Sequence, residues 1–276
     1  MITLAEKHQR LEKRFDSLRK QNRAGLVTFI TAGDPNLQTA LEIMKGLPRA
    51  GSDVIELGMP FTDPMADGPV IQRASERALA QNTNTDDVFN IVADFRTKDK
   101  TTPVILMGYL NPIEIMGYSK FTKKASDTGV DGLIVVDLPP EESSDLQEAL
   151  TLYDIDQIFL LSPTTIDKRL KMICEAASGF LYYVSLKGVT GSNQLDIKMV
   201  EEKINEIRTK TTLPLAVGFG IKDVQVAECV GRISDAVVIG SALVEIIAKH
   251  AKNTKEMKKR ISSFISSLRK VLDNIQ

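Results

Sequence analysis

Leu26-Val-Thr-Phe-Ile-Thr31, then Leu37-Gln-Thr-Ala-Leu-Glu-Ile-Met-Lys-Gly-Leu-Pro-Arg-Ala50, then Val54-Ile-Glu-Leu57 decide the fold. The outer two are short apolar runs without strict alternation, as expected of strands buried on both faces, and the middle one is amphipathic and of helical length. The same unit recurs along the chain. Further apolar runs stand at Val104–Met107, Leu133–Val136, Ile158–Leu161, Phe180–Val184, Leu215–Val217 and Ala236–Ile239. The intervening stretches predict helices at Val70–Ala80 with Asp87–Phe95, Ser119–Thr128, Glu141–Leu152, Ile166–Ala176, Ile197–Lys210, Val224–Val230 and Ala242–His250. Eight strand–helix units in about 250 residues predict an α/β fold of the (β/α)8 TIM-barrel type. A doubly wound open sheet would usually have fewer strands and would favour GxGxxG after an early strand, and that motif is absent. No linker or composition shift divides residues 1–276, so one barrel domain is expected. An amphipathic helix is expected before it (Leu4–Gln21) and another after it (Thr254–Ile275), the second closing on the barrel with its lysines in solvent.

Composition narrows the function. With 276 residues, 43% of them apolar, the chain can bury a large core without staples. A net charge of −1 argues against a general nucleic-acid or anionic-membrane binder. Cys174 and Cys229 have no CxxC spacing, and His8 and His250 lie near opposite ends, so neither a thiol metal site nor a zinc centre is indicated and no metal is expected. Acid–base chemistry therefore falls to carboxylates. The absence of a leader-type apolar segment or a long apolar span predicts a reduced, cytoplasmic protein.

In a barrel the site forms at the carboxyl ends of the strands. Glu56 lies within the second apolar run, where an unpaired charge would cost several kcal/mol, so it is neutral, paired or functional. Asp67 follows on the loop Gly58-Met-Pro-Phe-Thr-Asp-Pro-Met-Ala-Asp-Gly-Pro69. Two carboxylates in unlike surroundings can hold different pKa values and divide acid and base work. Asp63, followed by proline, reads as a turn former. Glycines after runs six, seven and eight, at Gly188, Gly191, Gly218, Gly220 and Gly240, permit close backbone approach. With the helix start at Ser241 they suggest a phosphate cradle.

Seven segments then carry a family resemblance. The strand-two stretch Glu56-Leu-Gly-Met-Pro-Phe-Thr-Asp-Pro-Met-Ala-Asp-Gly-Pro69 resembles the signature of the tryptophan synthase alpha chain family. So do Phe29–Pro35, Leu106–Pro112, Asp137–Pro139, Gly188–Gly191, Gly218–Gly220 and Ile239–Ser241, in chain order. The resemblance implies retro-aldol cleavage of indole-3-glycerol phosphate to indole and glyceraldehyde 3-phosphate, with no cofactor in this chain. It also implies a PLP-carrying beta-chain partner in an alpha2-beta2 heterotetramer, which receives the indole. By position it implies Glu56 as the acid–base group at indole C3 and the glycerol hydroxyl. Asp67 is implied as acceptor from the indole N–H, and Tyr182 as a pocket tyrosine. Gly191, Phe219, Gly220, Gly240 and Ser241 are implied at the phosphate, and Phe29, Leu106, Ile134 and Leu160 as indole-pocket walls. Thr190 is implied as the loop residue closing on the aspartate, and Pro60, Asp63, Asn111 and Pro139 near the partner. Thr62 and Met65 depart from the Ser and Leu of many members, and Lys187 adds a charge beside the loop.

Two rival readings stand beside this one, an aldolase on the same fold and a subunit of another class. A Schiff-base aldolase would use Lys187 as its nucleophile. A non-catalytic docking subunit would have no need of two costly carboxylates.

Overall fold

The computed structural model describes residues 9–185, 194–218 and 220–275. Leu4, His8, Lys187, Thr190, Gly191 and Phe219 lie outside them. Nine strands form one sheet in the order β5-β4-β3-β2-β1-β9-β8-β7-β6, every neighbouring pair parallel. They are β1 Gly25–Thr31, β2 Val54–Gly58, β3 Val104–Gly108, β4 Gly132–Val135, β5 Asp156–Gln157, β6 Leu160–Leu161, β7 Leu181–Val184, β8 Leu215–Gly218 and β9 Ala236–Ile239. β5 and β6 are the two ends of one chain segment interrupted at Ile158–Phe159. β5 pairs with β4 and β6 with β7, so this broken fifth strand closes the barrel. The sequence predicts it as continuous, because the apolar run Ile158–Leu161 shows no interruption.

The helices α1 Arg10–Lys20, α2 Leu37–Ala50, α3 Pro69–Leu79, α4 Thr85–Arg96, α5 Leu110–Met116, α6 Tyr118–Thr128, α7 Ser144–Thr151, α8 Asp167–Ala176, α9 Gln194–Arg208, α10 Val224–Ile233, α11 Ser241–Lys249 and α12 Thr254–Leu272 alternate with the strands or flank them. Local chemistry sets their ends. Asn36 accepts the Thr39 N–H at 2.9 Å and opens α2, and Gly51 closes it with φ +116°, a conformation that favours glycine. Asn84 and Asp87 form a reciprocal capping box at α4. The expected helix over Glu141–Leu152 starts with a 3-10 turn, Pro140–Glu142, and only then becomes α7. α5 was not expected, since its seven residues hold a proline and are too few to show a period.

Strand alternation divides the core into two layers. Leu26, Ile30, Ile55, Leu57, Leu106 and Leu133 face the helices. Val27, Val54, Ile105, Ile134, Ile158, Phe180, Ala216, Ala236 and Val238 fill the barrel interior. The apolar stripe of α1 joins that interior layer: Leu11, Phe15 and Leu18 are buried, with the Phe15 and Phe180 ring centroids 5.5 Å apart. α1 is therefore the plug at the amino ends of the strands. α12 buries Met257, Ile261, Ile265, Leu268 and Leu272 against α2, α10 and α11, and leaves Lys255, Lys258, Lys259 and Arg260 in solvent.

Three carboxylates repeat one arrangement at the plugged end. Asp53 precedes β2 and accepts the Leu26 N–H of β1 at 2.9 Å; Asp131 precedes β4 and accepts the Val104 N–H of β3 at 2.7 Å. Asp235 precedes β9 and accepts the Leu215 N–H of β8 at 2.9 Å. Buried arginines complete two of them. Arg10 and Arg96 reach Asp131 at 2.6 and 2.7 Å, and Arg269 reaches Asp53 at 2.8 Å. These pairs bind α1, α4 and α12 to strand ends far from the open mouth.

Candidate active site

Glu56 is the third residue of β2, flanked across the sheet by Phe29 of β1 and Ile105 of β3. Strand alternation turns it inward, where it lines a cavity of about 320 Å³ at the carboxyl ends of the strands. It is 1% exposed, and neither carboxyl oxygen has a hydrogen-bond partner among the described residues. An ionised carboxylate there would be unsolvated and unpaired. Burial, with the Asp67 charge as a smaller contribution, raises its pKa to about 8. At neutral pH Glu56 carries a proton it can give.

Asp67 reaches the same cavity from the β2–α3 loop and is half-buried. Burial raises its pKa and the Tyr109 hydroxyl beside it lowers it, so it remains the more acidic of the two. Tyr109 also holds the loop. Its hydroxyl accepts the Ala66 N–H at 3.0 Å and its ring stacks on Phe61 at 5.1 Å. A bidentate pair between Asp34 and Arg77, 2.7 Å at each contact, ties the β1 loop to α3, whose first turn brings Val70 and Ile71 to the cavity wall.

Several expected residues meet here: Phe29, Glu56, Asp67, Tyr182, Gly220, Gly240 and Ser241 all line the cavity. Tyr182 is partly buried beside Glu56, and its hydroxyl pKa rises through desolvation first and the Glu56 charge second. Glycine at 218 makes room for that ring, because a Cβ there would stand 2.8 Å from Tyr182 Cε2. Gly218→Ala is accordingly expected to overpack the wall and lower the thermal midpoint by roughly 5 °C. Calorimetry checks this; an unchanged midpoint would mean that the ring yields freely.

Leu106 needs correction. Expected on the pocket wall, it faces the helices, and its neighbour Met107 lines the cavity instead. A side-chain period of two puts adjacent residues on opposite faces, so an error of one position exchanges core for cavity. Ile134 and Leu160 belong to the interior layer but not to the cavity wall. Thr190, Gly191 and Phe219 fall outside the described residues. Val184, Ser185, Val238, Lys222 and Glu245 line the cavity without having been expected. Strand parity would have found Val184 and Val238, which share a face with Tyr182 and Ala236.

Also on the cavity wall, Gly220 turns with φ +60° and Gly240 precedes α11. The Leu243 and Val244 N–H groups both bond the Gly240 carbonyl. The N–H groups of Ser241 and Ala242 come before those first helical bonds and, with the helix dipole, suit an anion.

A parallel barrel whose mouth holds a protonated buried carboxyl, a more acidic carboxylate and an anion-suited helix start defines an acid–base enzyme of the (β/α)8 class. Comparison with known proteins narrows this further. The family model for the tryptophan synthase alpha chain matches residues 15–273. The chain is 52% identical over 264 residues to the tryptophan synthase alpha chain of Thioalkalivibrio sulfidiphilus, covering 96% of this chain and 99% of that one. It is 50% identical to that of Nitrosococcus oceani, covering 96% and 97%. The crystal structure of tryptophan synthase subunit alpha from Legionella pneumophila superposes with a TM-score of 0.90 at 42% identity, covering 96% and 99%. The chain belongs to the tryptophan synthase alpha chain family and is an enzyme subunit, a lyase, of tryptophan biosynthesis.

Proposed function

We propose that this chain cleaves indole-3-glycerol phosphate to indole and glyceraldehyde 3-phosphate. The observation that carries the reading is a fully buried Glu56 carboxyl, protonated at neutral pH with both oxygens free, in one cavity with Asp67. Glu56 gives its proton to indole C3, which turns the ring into an indolenine cation. Asp67 accepts the indole N–H and stabilises that cation. The Glu56 carboxylate so formed takes the proton of the glycerol hydroxyl next to the ring. That oxygen becomes the aldehyde, the carbon–carbon bond breaks, and its electron pair returns to the ring. Glu56 ends protonated, as it began. Phe29, Ile71 and Met107 provide apolar wall for the aromatic ring, and Gly220, Gly240 and Ser241 receive the phosphate.

In this reading residues 1–276 form a single barrel domain that works in the cytoplasm without a cofactor of its own. Among the described residues no helix is long and apolar enough to cross a membrane. The partner is a beta chain carrying PLP, in an alpha2-beta2 heterotetramer. Exposed apolar residues support docking near the cavity mouth: Met65 on the β2–α3 loop and Ile115 on α5 are 84% and 81% exposed, close in sequence to Pro60, Asp63 and Asn111, with Pro139 on the β4 loop.

The test is indole release from indole-3-glycerol phosphate by the purified chain, with and without an added beta chain. Slow release that rises strongly with the partner is expected. No indole under either condition, from folded protein, overturns the assignment and leaves a docking subunit.

A further inference from the structure

Charges in the cavity are unbalanced. Asp67 and Glu245 line it beside the protonated Glu56, and among the described residues Lys222 is the only cation that does. Glu245 lies one turn into α11 from Ser241, so a dianion at the helix start meets its repulsion. Lys222 stands on the β8–α10 loop directly after Gly220 and Ile221. The chain is held on both sides of it: Ile221 is 3% exposed in the core, and the Asp223 side chain caps α10 by accepting the Val226 N–H at 2.9 Å. The lysine thus has a fixed root and a free stem. It is exposed and takes part in no salt bridge among the described residues.

We propose that Lys222 is an anion-binding side chain of this site, closing on a phosphomonoester seated at Gly220, Gly240 and Ser241. The proposal rests on the reading that the substrate carries a phosphate, and it adds a charged side chain to that cradle. A flexible ammonium is suited to this work, since it follows a phosphate as a point charge without requiring fork geometry. Its contribution should fall with ionic strength, as partly exposed charge pairs are screened.

Calorimetric titration of the full chain with glycerol 3-phosphate, at low salt and a pH where the phosphate is a dianion, tests this. Lys222→Met is expected to raise Kd about fivefold, as a part-exposed charge contact would, and Lys222→Arg to restore most of the affinity. Lys259→Met, on the solvent face of α12, is expected to change nothing. A Lys222→Met Kd within about twofold of the unmodified chain, no rescue by Arg, or an equal loss in Lys259→Met would each overturn the role. If the unmodified chain itself fails to bind, the phosphate reading falls instead.

Discussion

Glu56→Gln is expected to lower turnover of indole-3-glycerol phosphate about 10²–10⁴-fold, because the amide keeps the shape but cannot exchange a proton. The fold and the binding of glycerol 3-phosphate should survive, since the amide keeps the shape of the side chain and Gly220, Gly240 and Ser241 are unchanged. The same substitution is expected to make the chain harder to unfold at pH 8. The Glu56 pKa is about 8 when folded against an ordinary value of 4.5. Between these limits the unfolded chain has lost the proton and the folded chain keeps it, so rising pH favours unfolding. The cost is absent below about 4.5, complete above about 8, and never incurred by glutamine. The urea midpoint of the variant should therefore exceed that of the unmodified chain most at pH 8 and converge with it on acidification. Parallel stability curves across this window would show that the buried carboxyl is not neutral. Turnover above a tenth of the unmodified value would remove Glu56 from the central role. A residue that destabilises its own fold is what a built acid–base site leads one to expect.

Asp131→Ala has the second largest expected effect, and it falls on stability. Removing this carboxylate leaves Arg10 and Arg96 buried with only carbonyl partners, and the Val104 N–H loses its acceptor. Breaking a buried pair from one side costs about 3–5 kcal/mol, or roughly 10 °C in the thermal midpoint for a chain of this size. The loss should also loosen α1, which Arg10 holds over the barrel base. Hydrogen exchange resolves this as faster exchange in α1 and at Val104. A fall of less than about 1 kcal/mol would mean that the arginines find water in place of the carboxylate. Because the pair lies at the plugged end, residual folded protein should keep its substrate affinity.

Much of this was open to reading from the residues alone. Eight non-alternating apolar runs separated by amphipathic stretches can bury both faces only in a sheet covered on each side, so they determined a parallel barrel. Glu56 was conspicuous for the same reason: a carboxylate inside such a run has no solvent on either side. The glycines before Ser241 and the motif over residues 56–69 pointed to the mouth. Tertiary structure decided what depends on side-chain direction and on closure. Whether Leu106 or Met107 faces the cavity turns on strand parity, which no apolar run reveals when both faces are buried. The break at Ile158–Phe159 follows from joining β4 to β7 around the barrel, a long-range demand that the local run does not show. The arginine–aspartate ties join residues 35 to 216 positions apart, as Arg96 with Asp131 and Arg269 with Asp53, and have no local signature. Lys222 joined the cavity wall only when the β8–α10 loop and the start of α11 met there. Local pattern thus determined the elements and the most costly residue. The pairings that aim and neutralise charges come from distant segments meeting, and the folded chain alone decides them.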